Sequence, residues 1–462
     1  MKSIIIIGDG MSDRPQERLG GKTPLMAARK PSIDRIAREG RLGLARTIGA
    51  TGPADSAVAN LAVLGYDAAK VSQGRAVLEA ASMGVDIRPG DVAFRCNLIC
   101  LAGDAANPTI KNHSAGHISN EEAAELIRAI DDELGGGRGG RPAKFHPGVS
   151  YRHLLVLPGG WASPRVECAP PHDHLDEFVA DLMPRALEAD STGAPSGGSR
   201  TAGPPPPASS PAETAASRSA ERTAAPSAGT AAGSEPARAA ATVERLNDLY
   251  ARGRALLEAH PVNARRRAAG KDPANSLWFW SPGRRPSMPT LQERFGVKGA
   301  VISAVDLVMG LGVYAGLELI RVPGATGLHD TNYEGKAEAA LRALEDHDFV
   351  YVHVEATDEA SHARDLDLKI RCIEYLDDRL VRHILDGVAD LERRGVEVAV
   401  AILPDHPTPV ETGQHGRDPV PVAIRRPREE PDGTTAYDEE QAARGGLGLM
   451  EGEGFIRRAL GR

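Results

Sequence analysis

Residues 1–10 read MKSIIIIGDG, and the run Ile4–Ile7 followed by Gly8-Asp9-Gly10 sets the architecture. Four consecutive β-branched side chains leave no polar face. A strand built from them must be covered on both sides, as in a parallel sheet, with the Gly-Asp-Gly loop at its carboxyl end. Comparable runs recur as VISAV (301–305), DFVYVHV (348–354) and VEVAVAIL (396–403). They alternate with helical patterns such as Glu334–Leu344 and Lys369–Arg394. Strand–helix alternation predicts an α/β fold with a largely parallel sheet flanked by helices. Ligand chemistry in such sheets gathers outside the carboxyl ends of the strands.

The chain has 462 residues, which at roughly 100–200 residues per domain suggests about two to four domains. One segment does not belong to a core. From Glu188 to Thr242 there is no Leu, Ile, Val, Met, Phe, Tyr or Trp, and prolines stand at 195, 204–207, 211, 226 and 236. Such a stretch buries too little apolar surface to offset ordering entropy, so a disordered insert is expected there. Helical patterning is expected to resume at Val243, and deletion of about 190–240 to leave activity nearly intact. Net charge is −8, which speaks against a nucleic-acid surface. The four cysteines (Cys96, Cys100, Cys168, Cys372) are too few and scattered for a disulfide framework. Cys96 and Cys100, in the strand-like run FRCNLIC, read as ordinary buried thiols. No apolar run approaches the ~18 residues of a membrane span, and Ile4–Ile7 is shorter than the roughly 7–15 apolar residues of a signal-peptide core. A cytoplasmic protein with no membrane or nucleic-acid partner is expected. Oligomeric state has no signature in the sequence.

Four places combine the end of an apolar run with metal-type ligands. Asp9 follows the first run. Asp358 and His362, in VHVEATDEASHARD, are four apart and share one face of a helical turn. Asp405-His406 follows the run at 396–403, and His415 lies in ETGQHGRDP. Carboxylates with imidazoles suit Mn²⁺, Zn²⁺ or Mg²⁺, and six such residues suffice for a two-metal cluster. In ATGPADSAVANLAVLGYD, Ser56 precedes an apolar helix expected at Val58–Leu64. Ser at a helix amino terminus is most often a cap, yet the position also suits a nucleophile facing an anion.

This order of residues resembles the alkaline phosphatase superfamily. GDGMSDRP, LAVLGYD, GDVAFRCNL, SAGHIS, HPVNARR, GAVISAVDLVMGLGVYAGL, VPGATG, DTNYEGKA and VHVEATDEASH are similar to the cofactor-independent phosphoglycerate mutases of archaeal type. The similarity spans nearly the whole chain outside 188–242. It implies an alkaline-phosphatase-like sheet with an inserted smaller α/β cap (transferase) domain. The expected organisation is 1–90 and 286–462 for the phosphatase-like part and 91–285 for the cap.

The resemblance also implies roles. One metal would be held by Asp358, His362 and His415. The other would be held by Asp9, Ser56, Asp405 and His406. Ser56 would accept the phosphoryl group of 3-phosphoglycerate and return it to the 2-hydroxyl, with no 2,3-bisphosphoglycerate. Mn²⁺ is the preferred ion, with Mg²⁺, Co²⁺ and Zn²⁺ open. Candidate substrate clamps are His117, Arg152, Arg284, Arg285 and Lys298, because Arg binds carboxylate and phosphate bidentately. Three departures from the family pattern stand out. Asp55-Ser56-Ala57 replaces a Gly-Ser-Asp type turn, Ser281-Pro282 replaces a glycine-containing turn, and Asn112-His113 stands where Asp-Tyr is common. The alternative function is a metal-dependent phosphomonoester or phosphonate hydrolase, or a phosphotransferase to another acceptor. A non-catalytic binding module is disfavoured by the complete ligand set.

Overall fold

A computed structural model describes residues 1–51, 53–71, 74–137, 140–187 and 233–462. In chain order the strands are β1 (Lys2–Gly8), β2 (Arg41–Ala45), β3 (Val92–Asp104), β4 (Asn107–Asn112), β5 (Lys144–His146), β6 (Arg152–Leu157), β7 (Val166–Glu167), β8 (Arg185–Ala186) and β9 (Ser276–Gly283). They continue as β10 (Gly299–Ile302), β11 (Glu318–Ile320), β12 (Phe349–Val354), β13 (Val398–Leu403), β14 (Val420–Arg425) and β15 (Gly448–Met450). The main sheet runs β11-β10-β12-β1-β13-β14-β2-β15. It is largely parallel, and β14 is antiparallel to both of its neighbours.

β1 lies inside this sheet between β12 and β13, and its side chains divide between two apolar layers. Ile5 and Ile7 pack with Leu61, Val77 and Val308, while Ile4 and Ile6 pack with Ile33, Ile373 and Leu380. Burial of each such side chain contributes roughly 1.5–3 kcal/mol, which is why the run tolerates no polar alternation. The expected helix over 369–394 is one continuous helical stretch from Leu366 to Arg393 with a π-helical turn at Leu376–Val381. That turn buries Leu376, Leu380 and Val381 and brings Asp377 to the helix Pro31–Glu39, where Asp377 Oδ1 accepts the Ile33 amide at 2.6 Å.

A second sheet, β4-β3-β6-β5 with β9 on β3, is inserted between β2 and β10. β3 alternates. Phe94, Cys96 and Leu98 face helices Asn120–Leu134 and Glu235–Ala259, whereas Ala93 joins the layer around Leu78 and Ala81 of the first sheet. Arg95 and Asn97 lie on that second face, where the Arg95 guanidinium sits 4.0 Å from the Trp280 ring and Trp280 donates to Asn97. Cys96 and Cys100 are buried free thiols, and burial pushes Cys100 up to about 11. No cysteine joins a metal-type cluster among the described residues.

The expected boundary at Thr242 is corrected. The helix begins at Glu235, with Ala239 and Thr242 buried, and Thr242 Oγ1 accepts the Ser163 amide at 2.9 Å. Deletion through 240 would therefore cut packed structure. Residues 188–232 of the expected insert lie outside the described residues. No described helix is long and apolar enough to cross a membrane.

Candidate active site

The carboxyl ends of β1, β12 and β13 converge, and each delivers ligand-type side chains from its last residues or the loop beyond. Asp9 follows β1, Asp358 and His362 lie on the short helix Ala356–His362 after β12, and Asp405-His406 follow β13. Three groups of ligand atoms form among the described residues: Asp358–His362–His415, Asp9–Asp405–His406 and, sharing Asp9, Asp9–His353–Glu355.

Ser56 opens the helix Ser56–Val63, but Asp55 caps it, accepting the Val58 amide at 2.9 Å. Ser56 Oγ is thereby left to face His406 Nε2 at 3.1 Å. Asn60, one turn later, fixes the same helix by donating to Asp405 Oδ2 at 2.8 Å and accepting from the Tyr351 hydroxyl.

The histidines are oriented from behind. His362 Nδ1 meets the Gly413 carbonyl at 2.8 Å and His415 Nδ1 the Ala54 carbonyl at 3.2 Å. A carbonyl only accepts, so both Nδ1 atoms carry protons and the Nε2 atoms face inward. Those Nε2 atoms lie 3.1 Å apart, and Asp358 Oδ2 is 2.9 Å from His362 Nε2 and 3.6 Å from His415 Nε2. His406 stacks on His415 with ring centroids 3.8 Å apart, which ties their two groups together.

The third imidazole is set by Thr408. Its hydroxyl donates to Asp358 Oδ1 at 2.5 Å, so its oxygen receives His406 Nδ1–H at 3.1 Å, and the His406 Nε2 lone pair points at Ser56. Thr408 is itself anchored by the buried pair Lys369–Asp13 at 2.9 Å, since Lys369 Nζ also donates to the Thr408 and Ser12 carbonyls.

The charges need cations. Burial, and then the charges of Asp405, Glu355 and Asp358, push the Asp9 carboxyl well up, and burial raises Glu355 to about 7. Asp9 Oδ1 is fully buried and finds no hydrogen-bond partner among the described residues. The hydrogen bond that His362 makes to Asp358 holds the His362 imidazolium up to about 9, and a divalent ion would take that proton's place. Burial opposes the charged form of Asp358, yet its contacts with His362 and His415 hold it well below the usual carboxylate range. Inward Nε2 atoms, an unpartnered buried carboxylate oxygen and a mixed carboxylate–imidazole donor set fit divalent metals.

The sequence-predicted residues Asp9, Ser56, Asp358, His362, Asp405, His406 and His415 are thus brought together. Tyr351, Asn60, His353, Glu355, Thr408 and the Lys369–Asp13 pair were not foreseen. His353, Tyr351 and Glu355 had a signal, as polar groups in or just beyond an otherwise apolar strand.

The clamp candidates separate. His117 and Arg152 both approach Tyr151, with His117 6.1 Å from it ring to ring and the Arg152 guanidinium 4.9 Å from its ring. His117 is presented by a turn in which Ala115, Gly116 and His117 all have positive φ. His113 and His172 complete this cluster, and His172 reaches Trp280 at 5.3 Å between ring centres. Arg284 instead donates to the Ala162 carbonyl and lies 3.8 Å from Glu235, bracing the start of the helix Glu235–Ala259. Arg285 pairs with Asp86 at 3.1 Å. Lys298 is not brought to the site: it precedes β10, and the amino end of a strand in this parallel array is the edge opposite the ligand groups. Ser281 has φ +51 at a register shift between β3 and β9, a conformation glycine would adopt without strain.

Comparison with known proteins adds to this geometry. A family profile described as 2,3-bisphosphoglycerate-independent phosphoglycerate mutase matches residues 37–195. The chain is 42% identical over 457 residues to the Methanosarcina acetivorans protein named 2,3-bisphosphoglycerate-independent phosphoglycerate mutase, covering 99% of this chain and 98% of that one. It is also 42% identical to a Geobacter sulfurreducens protein named as a probable enzyme of that kind, over the full length of both. Among solved structures, a Pyrococcus horikoshii protein superposes with TM-score 0.73 at 29% identity, covering 100% of this chain and 97% of that one. The cofactor-independent phosphoglycerate mutase of Thermoplasma acidophilum superposes with TM-score 0.63 at 26% identity, covering 99% and 98%. The chain belongs to the family of 2,3-bisphosphoglycerate-independent phosphoglycerate mutases.

Proposed function

We propose that the chain is a metal-dependent isomerase that interconverts 3- and 2-phosphoglycerate through a phosphoserine at Ser56, with no added bisphosphoglycerate. The observation that carries this reading is Ser56 Oγ beside His406 Nε2, between two carboxylate–imidazole groups. Asp358, His362 and His415 would hold one ion, and Asp9, Ser56, Asp405 and His406 the other. Bound there, two divalent ions would lower the pKa of the Ser56 hydroxyl and neutralise charge on the transferring phosphoryl group.

In the first half, Ser56 Oγ loses its proton and bonds to phosphorus as the bond from phosphorus to the 3-oxygen breaks. The departing 3-oxygen takes up a proton, so the half-reaction balances. Glycerate then turns, its 2-hydroxyl bonds to phosphorus, the Ser56 oxygen leaves, and the proton returns to Ser56. Retaining glycerate demands that water be kept out and the carboxylate held. The inserted unit supplies the groups for this, in the cluster of His117, Arg152, His113 and His172. Arg95 lies beside this cluster, over the Trp280 ring that His172 also meets. We propose that this unit is the cap. Arg284 brace the cap rather than touch substrate, in this reading, and Lys298 has no role in catalysis.

The test is to incubate the protein and Mn²⁺ with 3-phosphoglycerate and follow products by ³¹P NMR. Formation of 2-phosphoglycerate without bisphosphoglycerate supports the mutase. Inorganic phosphate as the main product would instead establish a hydrolase on the same scaffold.

A further inference from the structure

His353 is the buried imidazole at this site outside the two groups that contain His362, His406 and His415. It is the next-to-last residue of β12, fully buried, on the strand face that carries Tyr351. Its Nε2 lies 2.8 Å from Asp9 Oδ2 and its Nδ1 3.2 Å from Ser303 Oγ. Ser303 directly follows β10, and its oxygen already accepts the Val305 amide at 3.0 Å just before the helix Asp306–Tyr314.

We infer that His353 is a positioning residue that donates from Nε2 to Asp9 Oδ2, is oriented by the Ser303 hydroxyl, and so turns Asp9 Oδ1 toward the cation. The inference rests on the reading of Asp9 as a metal ligand. The direction of the hydrogen bonds follows from the atoms. With a divalent ion held at Oδ1 the Asp9 carboxylate is ionised and only accepts, so across 2.8 Å the proton is on Nε2. A neutral imidazole then leaves Nδ1 as an acceptor, and Ser303 has one hydroxyl proton to give it. The Val305 amide occupies the serine oxygen from the other side and fixes the rotamer. The chain runs from Val305 N–H to Ser303 to His353 to Asp9. It ends with one carboxylate oxygen satisfied and the other, Oδ1, buried with no hydrogen bond and 3.5 Å from His406 Nε2, its fellow ligand.

This polarity is opposite to that of His362, His406 and His415, whose Nδ1 atoms carry the proton and whose Nε2 atoms face the ions. The competing possibility is a third cation among Asp9, His353 and Glu355, whose ligand atoms lie within 4.8 Å of one another. That would require an unprotonated nitrogen at the position where His353 already meets a carboxylate. The buried ammonium of Lys336 supplies positive charge next to this group, donating to the His353 carbonyl at 3.0 Å and acting on Glu355. Partners that orient a first ligand typically change metal affinity by about 10–100-fold when removed.

The test uses the full chain labelled with ¹⁵N-histidine and saturated with Mg²⁺, together with Mn²⁺ titrations of variants. Two-bond ¹H–¹⁵N spectra should show His353 protonated at Nε2 and bare at Nδ1. His353→Phe should still bind two Mn²⁺ but lose about 10–100-fold in the affinity of one of them. His353→Gln, which keeps an N–H donor, should recover part of that loss. Ser303→Ala keeps the core volume nearly intact. It should shift the His353 Nδ1 resonance and weaken Mn²⁺ about fivefold, the equivalent of one lost hydrogen bond. Three ions in the native protein falling to two in His353→Phe, with His353 Nε2 unprotonated, would overturn the inference in favour of a third cation site. Unchanged Mn²⁺ affinity in His353→Phe would overturn it in favour of simple packing. If Asp9→Asn itself leaves both ions bound at native affinity, the assignment of Asp9 is what fails.

Discussion

Asp55 Oδ1 accepts the Val58 amide at 2.9 Å, so the residue just before Ser56 caps the helix and Ser56 Oγ is left to face His406 Nε2 at 3.1 Å. A serine that capped its own helix would turn its oxygen toward the backbone. The carboxylate at 55, a departure from the family pattern, therefore has a local task.

Replacing Asp55 by Ala should cost about 1 kcal/mol in stability, the ordinary value of an amino-terminal cap. Asp55→Asn, which still offers a side-chain oxygen, should retain most of it. Thermal unfolding of the two variants checks this, and equal losses in both would contradict the capping role.

Ser56→Ala should fold normally and bind Mn²⁺, yet lose on the order of 10⁴-fold or more in turnover, because no oxygen remains to take the phosphoryl group. Steady-state rates with 3-phosphoglycerate check this. Turnover near that of the native protein would refute Ser56 as nucleophile.

Thr408→Val should weaken Mn²⁺ binding about 10–100-fold, because His406 loses the acceptor that fixes its tautomer and Asp358 loses a donor. Thr408→Ser should restore it. Isothermal titration reads both, and a serine variant as weak as the valine one would show that the methyl group matters rather than the hydroxyl.

Lys369 and Asp13 form a fully buried ion pair that ties the helix from Leu366 to the loops holding Ser12 and Thr408. Lys369→Met leaves Asp13 uncompensated and should destabilise the protein by about 3–5 kcal/mol. Adding Asp13→Asn should recover part of the loss. Denaturant unfolding measures both variants, and a loss under 1 kcal/mol in the single variant would contradict the bracing role.

Burial, with the nearby charge of Asp34, raises the Asp377 carboxyl to about 6 in spite of the amides of Ile33 and Ser32 that favour its charge. The folded chain holds this proton to higher pH than the unfolded chain does. Its contribution to stability is therefore fully present below the unfolded carboxyl value near ~3.9 and is lost as pH rises through about 6. Asp377→Asn should flatten the stability profile between those limits, and an unchanged slope in denaturant titrations across pH would contradict this.

The strand framework was legible because two-sided burial leaves an unmistakable trace. Ile4–Ile7 has no polar position, β13 repeats the pattern, and β12 does so apart from Tyr351 and His353. Asp9 and Asp405-His406 were legible because they come just after those runs, and Asp358 with His362 because their spacing puts them on one face of the turn after β12. His353 was not, since one polar residue inside a strand looks the same whether it faces a ligand or a neighbouring serine. Lys298 misled because residues at both ends of a strand look alike in sequence, and only one end of a parallel sheet carries the site. The start of the helix at Glu235 is not legible, because Ala239 and Thr242 bury small side chains that resemble the unpatterned stretch before them. Asp13 and Lys369 are far apart in the chain, and nothing local to either predicts that they meet.

The most direct test of the account is mass spectrometry of the protein quenched within one turnover after mixing with Mn²⁺ and 3-phosphoglycerate. The account predicts a single phosphoryl group on Ser56, absent from the Ser56→Ala variant. 2-Phosphoglycerate formed with no phosphoryl on the protein, or with the group on another residue, would contradict it.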